Sequence, residues 1–242
     1  MPKFFAYKGQ IEDNSFIITG EDANHIAAVL RSKIGDELII CDGEGTDYYC
    51  KITDLDKKMV VAEINESYAN HTEPKTSITL YQGLPKSDKM ELIIQKCVEI
   101  GLTRIVPIKT EFAVAKVEGK EEKKRERWQK IAESAAKQCG RGKIPLVDRA
   151  MTFKEAVEDS KSHKGRIIPY ENESNYSIKD FARAFKGESI AVFIGPEGGF
   201  SPKEIELARQ EGIVSVTLGK RILRTETAGL VTGTILLYEL ED

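Results

Sequence analysis

The 242-residue sequence predicts an α/β protein in two parts: a small, strand-rich barrel-like domain over residues 1–72, then a larger domain over 73–242 with a mostly parallel sheet. Three observations carry this reading. The first seventy residues hold short strand-length runs separated by tight turns. From residue 73 the rhythm changes to alternating strand-like and helix-like segments, the pattern of parallel sheets covered by helices on both faces. An apolar run, Ser189-Ile-Ala-Val-Phe-Ile194, then opens into a glycine loop, Gly195-Pro-Glu-Gly-Gly-Phe200, at the kind of strand end where such sheets bind ligands.

In the first part, strands are expected at Lys3-Phe-Phe-Ala-Tyr7, Ser15-Phe-Ile-Ile-Thr19, Glu37-Leu-Ile-Ile-Cys41, Thr46 to Thr53 and Met59 to Ile64, several with period-two alternation. Asp42-Gly-Glu-Gly45 reads as a hairpin turn, Glu21 to Leu30 as a short helix, and Tyr68 to Pro74 as a linker. In the second part, strands are expected at Thr76–Gln82, Arg104–Lys109, Leu146–Arg149, Gly165–Tyr170, Ser189–Ile194 and Val214–Leu218. The helix over Asp88–Ile100 ends at Gly101, and that over Glu121–Cys139 ends at Gly140. Thr152-Phe-Lys-Glu155 and Ser201-Pro-Lys-Glu204 have capping-box spacing and open helices, with Pro202 where a missing N–H costs nothing. Further helices are expected at Ser177–Phe185 and at the carboxyl end, to about Leu240. Gly229 and Gly233 share one face of the last helix, through chance or through close packing of another helix, including one across a dimer interface.

Net charge is −3, but it is unevenly spread: residues 1–72 carry −6, 73–150 carry +6 and 151–242 carry −3. The basic middle third suits a phosphate backbone, although a solvated helix face such as Glu121-Glu-Lys-Lys-Arg-Glu-Arg127 accounts for part of it. Cys41, Cys50, Cys97 and Cys139 show no Cys-x-x-Cys pairing, and His25, His71 and His163 are scattered, so no metal site is expected. The cysteines read as reduced thiols. With no signal-peptide-like start and no run of membrane-spanning length, the expected location is cytoplasmic.

The motifs narrow the chemistry. Neither Gly-x-Gly-x-x-Gly nor Gly-x-x-x-x-Gly-Lys-Ser/Thr occurs, which disfavours dinucleotide and NTP enzymes. No Ser or Cys stands in a nucleophile-elbow context, which leaves covalent acyl chemistry little support. What remains is a pair of loops, the glycine loop and Leu218-Gly-Lys-Arg-Ile-Leu-Arg-Thr-Glu-Thr-Ala228, each following a strand. Singly, Glu197, Lys220, Arg221, Arg224 and Glu226 read as surface charge or helix capping; together they mark a pocket.

Five blocks then stand in order: Gly83-Leu-Pro-Lys-Ser-Asp-Lys-Met-Glu91, Gln95 to Gly101, Ala135-Ala-Lys-Gln-Cys-Gly-Arg-Gly142, Ile194 to Phe200 and Leu218 to Ala228. With these the chain resembles, over nearly its whole length, the RsmE-type 16S ribosomal RNA (uracil-N3)-methyltransferases of the SPOUT superfamily. The resemblance implies a PUA-like RNA-binding β-barrel over 1–72 and a trefoil-knotted, S-adenosylmethionine-binding domain over 73–242. It implies a homodimer, and methyl transfer to N3 of a uridine in the small-subunit decoding region. The cofactor would be held by Ile194, Gly195, Pro196, Gly198, Gly199, Leu218, Gly219, Ile222, Leu223 and Thr227. Arg224 would stabilise charge on the uracil oxygens, with Glu197 or Glu226 accepting the proton. Lys86, Lys89, Gln138, Arg141 and Lys143 would contact RNA, mostly at phosphate, joined from the acidic first domain by a local patch of Lys3, Lys8, Arg31 and Lys33. Rival readings are another SPOUT RNA methyltransferase, a non-catalytic knotted RNA-binding protein, and an α/β enzyme for a small anionic metabolite.

Overall fold

The computed structural model describes residues 1–6, 8–113, 119 and 121–241. Tyr7, expected to end the first strand, and the side chain of Lys8 lie outside the described residues. The chain divides into two compact units, Met1–Glu73 with Ala136–Ile144, and Pro74–Ala135 with Pro145–Asp242.

The first unit is a curled six-stranded sheet of β1 (Lys3–Phe5), β2 (Ile11–Glu12), β3 (Ser15–Thr19), β4 (Glu37–Cys41), β5 (Thr46–Leu55) and β6 (Met59–Ala69), with α1 (Gly20–Asn24) after β3. The order is β1-β4-β5-β6-β3-β2, parallel between β1 and β4 and antiparallel elsewhere. Alternate residues point inward, so Phe4, Phe16, Ile18, Leu38, Ile40, Ile52, Val60 and Ala62 form one core with Ile26. Register shifts at Tyr49/Cys50 and Ile52/Asp54 bend the long β5–β6 ribbon. The structure departs from the sequence reading in two places. The helix beginning at α1 runs on as a wider turn over His25–Val29, and β6 continues through Ala69, paired with Thr46, into the expected linker.

The second unit holds β7 (Ser77–Gly83), α2 (Lys89–Glu99), β8 (Arg104–Lys109), α3 (Glu121–Cys139), β9 (Leu146–Val147), β10 (Met151–Thr152), α4 (Phe153–Asp159), β11 (Gly165–Pro169), α5 (Ile178–Ala184), β12 (Ser189–Ile194), α6 (Pro202–Gln210), β13 (Val214–Val216) and α7 (Thr225–Leu240). The last turn of α3 belongs to the first unit. The sheet is parallel throughout, in the order β10-β8-β7-β12-β11-β13, with β9 beside β8. Both expected capping boxes form, and Ser177 with Asp180 adds a third at α5. Tyr81 and Phe193 stack at 4.6 Å in the core that joins the central strands to α4 and α6.

Two close approaches fix the carboxyl edge of this sheet. A Cβ on Gly83 would lie 2.5 Å from Pro196 Cδ and 2.6 Å from Pro196 N, so the end of β7 carries the glycine loop directly on its backbone. On α7, a Cβ on Gly229 would meet Leu80 at 3.3 Å, and one on Gly233 would meet Leu102 at 2.6 Å. The glycine face of α7 therefore packs inside its own chain, against β7 and the turn into β8, and not on a second copy. Gly83→Ala is expected to destabilise the second unit by about 1–3 kcal/mol, because backbone must move to admit the methyl. Denaturant unfolding followed through the single tryptophan, the buried Trp128 of α3, checks this; an unchanged midpoint would contradict the packing.

Candidate active site

Strand ends and the start of α7 build the site. After β12, the Gly199 N–H donates to the Pro196 carbonyl at 2.9 Å and closes a tight turn. Gly199 has φ +68°, and a Cβ on Gly195 would lie 2.9 Å from the Gly199 carbonyl carbon, so both positions require glycine. The turn leads into the Ser201 capping box, where Ser201 N–H donates to Glu204 at 2.8 Å.

A buried clasp holds this loop against α7. The Thr225 hydroxyl donates to the Gly195 carbonyl at 2.6 Å and accepts from Gln82 Nε2 at 2.9 Å, while Gln82 Nε2 also donates to the Gly83 carbonyl at 3.0 Å. Gln82 is fully buried and Thr225 nearly so. One hydroxyl thereby ties the ends of β7 and β12 to the first residue of α7.

Beside the clasp lies a cleft of about 590 Å³ lined by residues 194–200 and 222–225 with Lys89, Pro169, Glu171 and Ala228. A smaller cavity of about 140 Å³ adjoins it, lined by residues 169–171 and 217–223 with Ala228. The cleft lies within the size range of small-molecule sites, and its walls are mainly backbone, glycine and aliphatic side chains. Among the described residues no cluster of His, Cys, Asp and Glu could hold a metal ion.

Residues 72–237 match the family model of an RNA methyltransferase domain, and residues 18–65 match that of an RNA methyltransferase PUA domain. The ribosomal RNA small subunit methyltransferase E of Bacillus subtilis strain 168 is 35% identical, aligned over 97% of this chain and 94% of the relative. This chain belongs to the ribosomal RNA small subunit methyltransferase E family. The family protein of Mesomycoplasma hyopneumoniae strain 232 is also 35% identical, over 95% of this chain and 96% of its own. Among solved structures, the family protein of Neisseria gonorrhoeae bound to S-adenosyl methionine superposes with a TM-score of 0.88 at 30% identity, covering 98% of this chain and 96% of that one. A methyltransferase from Legionella pneumophila with bound S-adenosylmethionine gives a TM-score of 0.87 at 29% identity, covering 97% and 96%. The first unit thus carries the family's PUA domain over residues 18–65, and the second carries its α/β methyltransferase domain with a parallel sheet.

Within this family frame, the structure gathers most of the expected cofactor residues. Ile194, Gly195, Pro196, Gly198 and Gly199 line the cleft, Leu218 and Gly219 line the smaller cavity, and Ile222 and Leu223 line both. Thr227 lines neither; Ala228, one helical step on, lines both. Arg224 reaches the cleft with its side chain 84% exposed, and precedes α7 without a side-chain cap. Thr225 does not cap α7 with its side chain, because that hydroxyl is donated to Gly195.

The charged groups at the mouth are mutually engaged. Lys89 Nζ lies 2.9 Å from Glu197 Oε1 and 3.2 Å from Glu226 Oε2, and the Lys86 N–H donates to the Glu197 carboxylate at 3.2 Å. Glu197 lines the cleft, whereas Glu226 lines neither cavity. Burial acts to raise the Glu197 carboxyl, but the Lys89 ammonium and backbone N–H groups outweigh it and hold it below the usual range. The Glu226 backbone N–H and Lys89 lower Glu226 likewise, and the two carboxylates raise Lys89. At neutral pH all three are ionised.

The expected RNA contacts divide. Lys86, Gln138, Lys143, Arg31 and Lys33 are exposed. Arg141 is a correction: the residue is 3% exposed and its guanidinium forks onto Glu73 at 2.6 and 3.1 Å, so it is buried in the first unit and not offered to RNA. Lys3 is another, buried against Asp47 at 2.8 Å. Lys89 is occupied by carboxylates. Sequence reasoning missed Gln82, Thr225 and Glu171. Gln82 carried a signal, as a polar residue ending the apolar run Ile78-Thr-Leu-Tyr81, and Glu171 follows the strand next to β12.

Thr225→Val should leave the Gly195 carbonyl without its donor and cost about 1–3 kcal/mol. Thr225→Ser, which keeps the hydroxyl, should lose only about 0.8 kcal/mol for the missing methyl. Trp128-monitored unfolding separates the two, and equal losses would show that the hydroxyl is not what holds the loop.

Proposed function

We propose that this protein transfers a methyl group from S-adenosylmethionine to N3 of a uridine in the 16S RNA of the small ribosomal subunit, acting in the cytoplasm as a homodimer. The observation that carries the reading is the clasped cleft on the carboxyl edge of a parallel sheet, in a chain of this family. The residues present fit the cofactor. Glycines at 195, 198, 199 and 219 leave backbone open to adenine and ribose, the Ile222 and Leu223 side chains give apolar cover, and Glu171 lines both cavities. Carboxylates on a cleft wall suit a cationic sulfonium, and Glu171 is placed to accept hydrogen bonds from ribose hydroxyls.

When bound, the cofactor supplies a methyl group activated on sulfur. The protein's own work is then positioning and charge management. Uracil N3 lies in the pairing edge, so the base must leave its stack to enter the mouth. Arg224, exposed on the rim, is placed to hydrogen-bond the uracil oxygens as charge builds there. Glu197 lines the same wall as a carboxylate able to take the N3 proton.

The homodimer reading is supported by the outer faces of α2 and α7. Leu92 is 47% exposed and Tyr238 81% exposed, and α7 is apolar around most of its circumference, a pattern that favours burial on every side. RNA engagement by the first unit falls to the exposed Arg31 and Lys33, with Lys143. No described helix is long and apolar enough to cross a membrane.

Small subunits from cells lacking this protein should accept labelled methyl from S-adenosylmethionine, and failure to accept it would sink the proposal. Arg224→Ala is expected to lower single-turnover rate by about two orders of magnitude, the size of losing one oxyanion-type donor. Cofactor affinity by calorimetry should stay within about threefold. Equal losses in rate and affinity would move Arg224 into the cofactor site.

A further inference from the structure

The ammonium of Lys89 stands between two carboxylates of different kinds. Glu197 faces the cleft, carried on the glycine loop and aimed by the Lys86 N–H. Glu226 sits behind it on α7; its Oε2 is buried, and no donor is aimed at that oxygen in hydrogen-bonding geometry. Lys89 hydrogen-bonds Glu197 Oε1 at 2.9 Å, and Glu226 Oε2 is only 3.2 Å from the same nitrogen. A lysine stem has rotamer freedom enough to move its head group between two such neighbours. One ammonium thus lies within reach of both carboxylates, and moving it off Glu197 onto Glu226 would leave the cleft-facing carboxylate free.

Resting on the methyltransferase reading above, the geometry points to Glu197 as the proton acceptor, with Lys89 as its gate and Glu226 as the counter-ion that receives Lys89 when the gate opens. With Lys89 on Glu197, the carboxylate is neutralised and a poor base. With Lys89 turned onto Glu226, Glu197 is a free carboxylate beside the N3–H of a uracil in the mouth. The N3–H proton then passes to Glu197 as N3 displaces sulfur from the methyl carbon. The N3 electron pair forms the new N–C bond, the C–S pair departs with the now neutral thioether, and the proton leaves Glu197 for water. The charge of the three-residue group is the same in both positions, so the switch requires no change in net charge at the site.

The test uses the full-length protein and unmethylated small subunits, with a second readout that needs no turnover. The groups facing Glu197 are Lys89 from α2, Glu226 and Arg224 from α7 and its cap, and Glu171 from the loop after β11. Lys89→Met removes the ammonium, so the acid limb of the single-turnover rate, which reports the base, should move to higher pH. Glu226→Gln leaves Lys89 no second carboxylate, so it stays on Glu197: the limb should move to lower pH and the plateau rate should fall about tenfold. Glu197→Gln should lose the rate by at least a hundredfold. In the free protein, carbon-13 carboxyl titration, with Glu197 assigned by its loss in Glu197→Gln, should show the same opposite shifts. Cofactor affinity by calorimetry should hold in Glu226→Gln, whose side chain lines neither cavity.

A Glu197→Gln rate within threefold of wild type, or an acid limb and carboxyl titration unmoved by Lys89→Met, would overturn the proposal while wild-type methylation still stood. Absence of wild-type methylation would overturn it together with the functional reading.

Discussion

The site depends on one buried hydroxyl. Thr225 donates to Gly195 and accepts from Gln82, so the carboxyl ends of β7 and β12 and the first residue of α7 share a single oxygen. Buried polar groups are costly unless paired, and this arrangement pairs a loop carbonyl that turns away from the strand ladder. The consequence is positional. With Gly195 tied to α7, the glycine loop and the loop that follows β13 cannot drift apart, and the cleft between them stays open. Gly83 completes the constraint from beneath, since only a residue without a side chain lets Pro196 rest on the sheet.

The electrostatics follow from the same geometry. Because α7 starts at the clasp, Arg224 at its cap is left projecting into solvent at the cleft rim, while Glu226 is turned inward toward α2. The first residue of α2, Lys89, meets both Glu226 and the loop carboxylate Glu197. A cation at the rim faces the place where negative charge develops on a uracil, and carboxylates face the place where a proton and a sulfonium charge are lost. Helix packing and charge placement are therefore one design: the glycine face of α7 that seats it on Leu80 and Leu102 also sets how far its amino end reaches over the cleft.

Local features were legible in the sequence because their causes are local. The capping boxes at Thr152 and Ser201, the glycine stops at Gly101 and Gly140, and the parallel alternation all depend on residues a few positions apart. That the two loops line one cleft region was legible for the same reason, since a glycine loop following a strand marks a strand end where ligands bind. What sequence could not supply were pairings across long stretches of chain. Arg141 lies in a basic block that suits RNA, yet its partner Glu73 is 68 residues away and buries it. Lys89 looked like a phosphate contact until carboxylates from two distant segments closed around it. Thr227 and Ala228 differ by one helical step, finer than any periodicity resolves, and the pairing of Thr46 with Ala69 carried β6 into a segment whose polar composition suggested a linker.

The central claim is that the clasped cleft serves methylation of a uridine at N3 in small-subunit RNA. Nucleoside mass spectrometry of that RNA, purified from cells lacking this protein and from the same cells complemented with it, tests the claim most directly. The account predicts that N3-methyluridine disappears without the protein and returns with the wild-type chain, but not with Glu197→Gln. Undiminished N3-methyluridine in the cells lacking it would contradict the account.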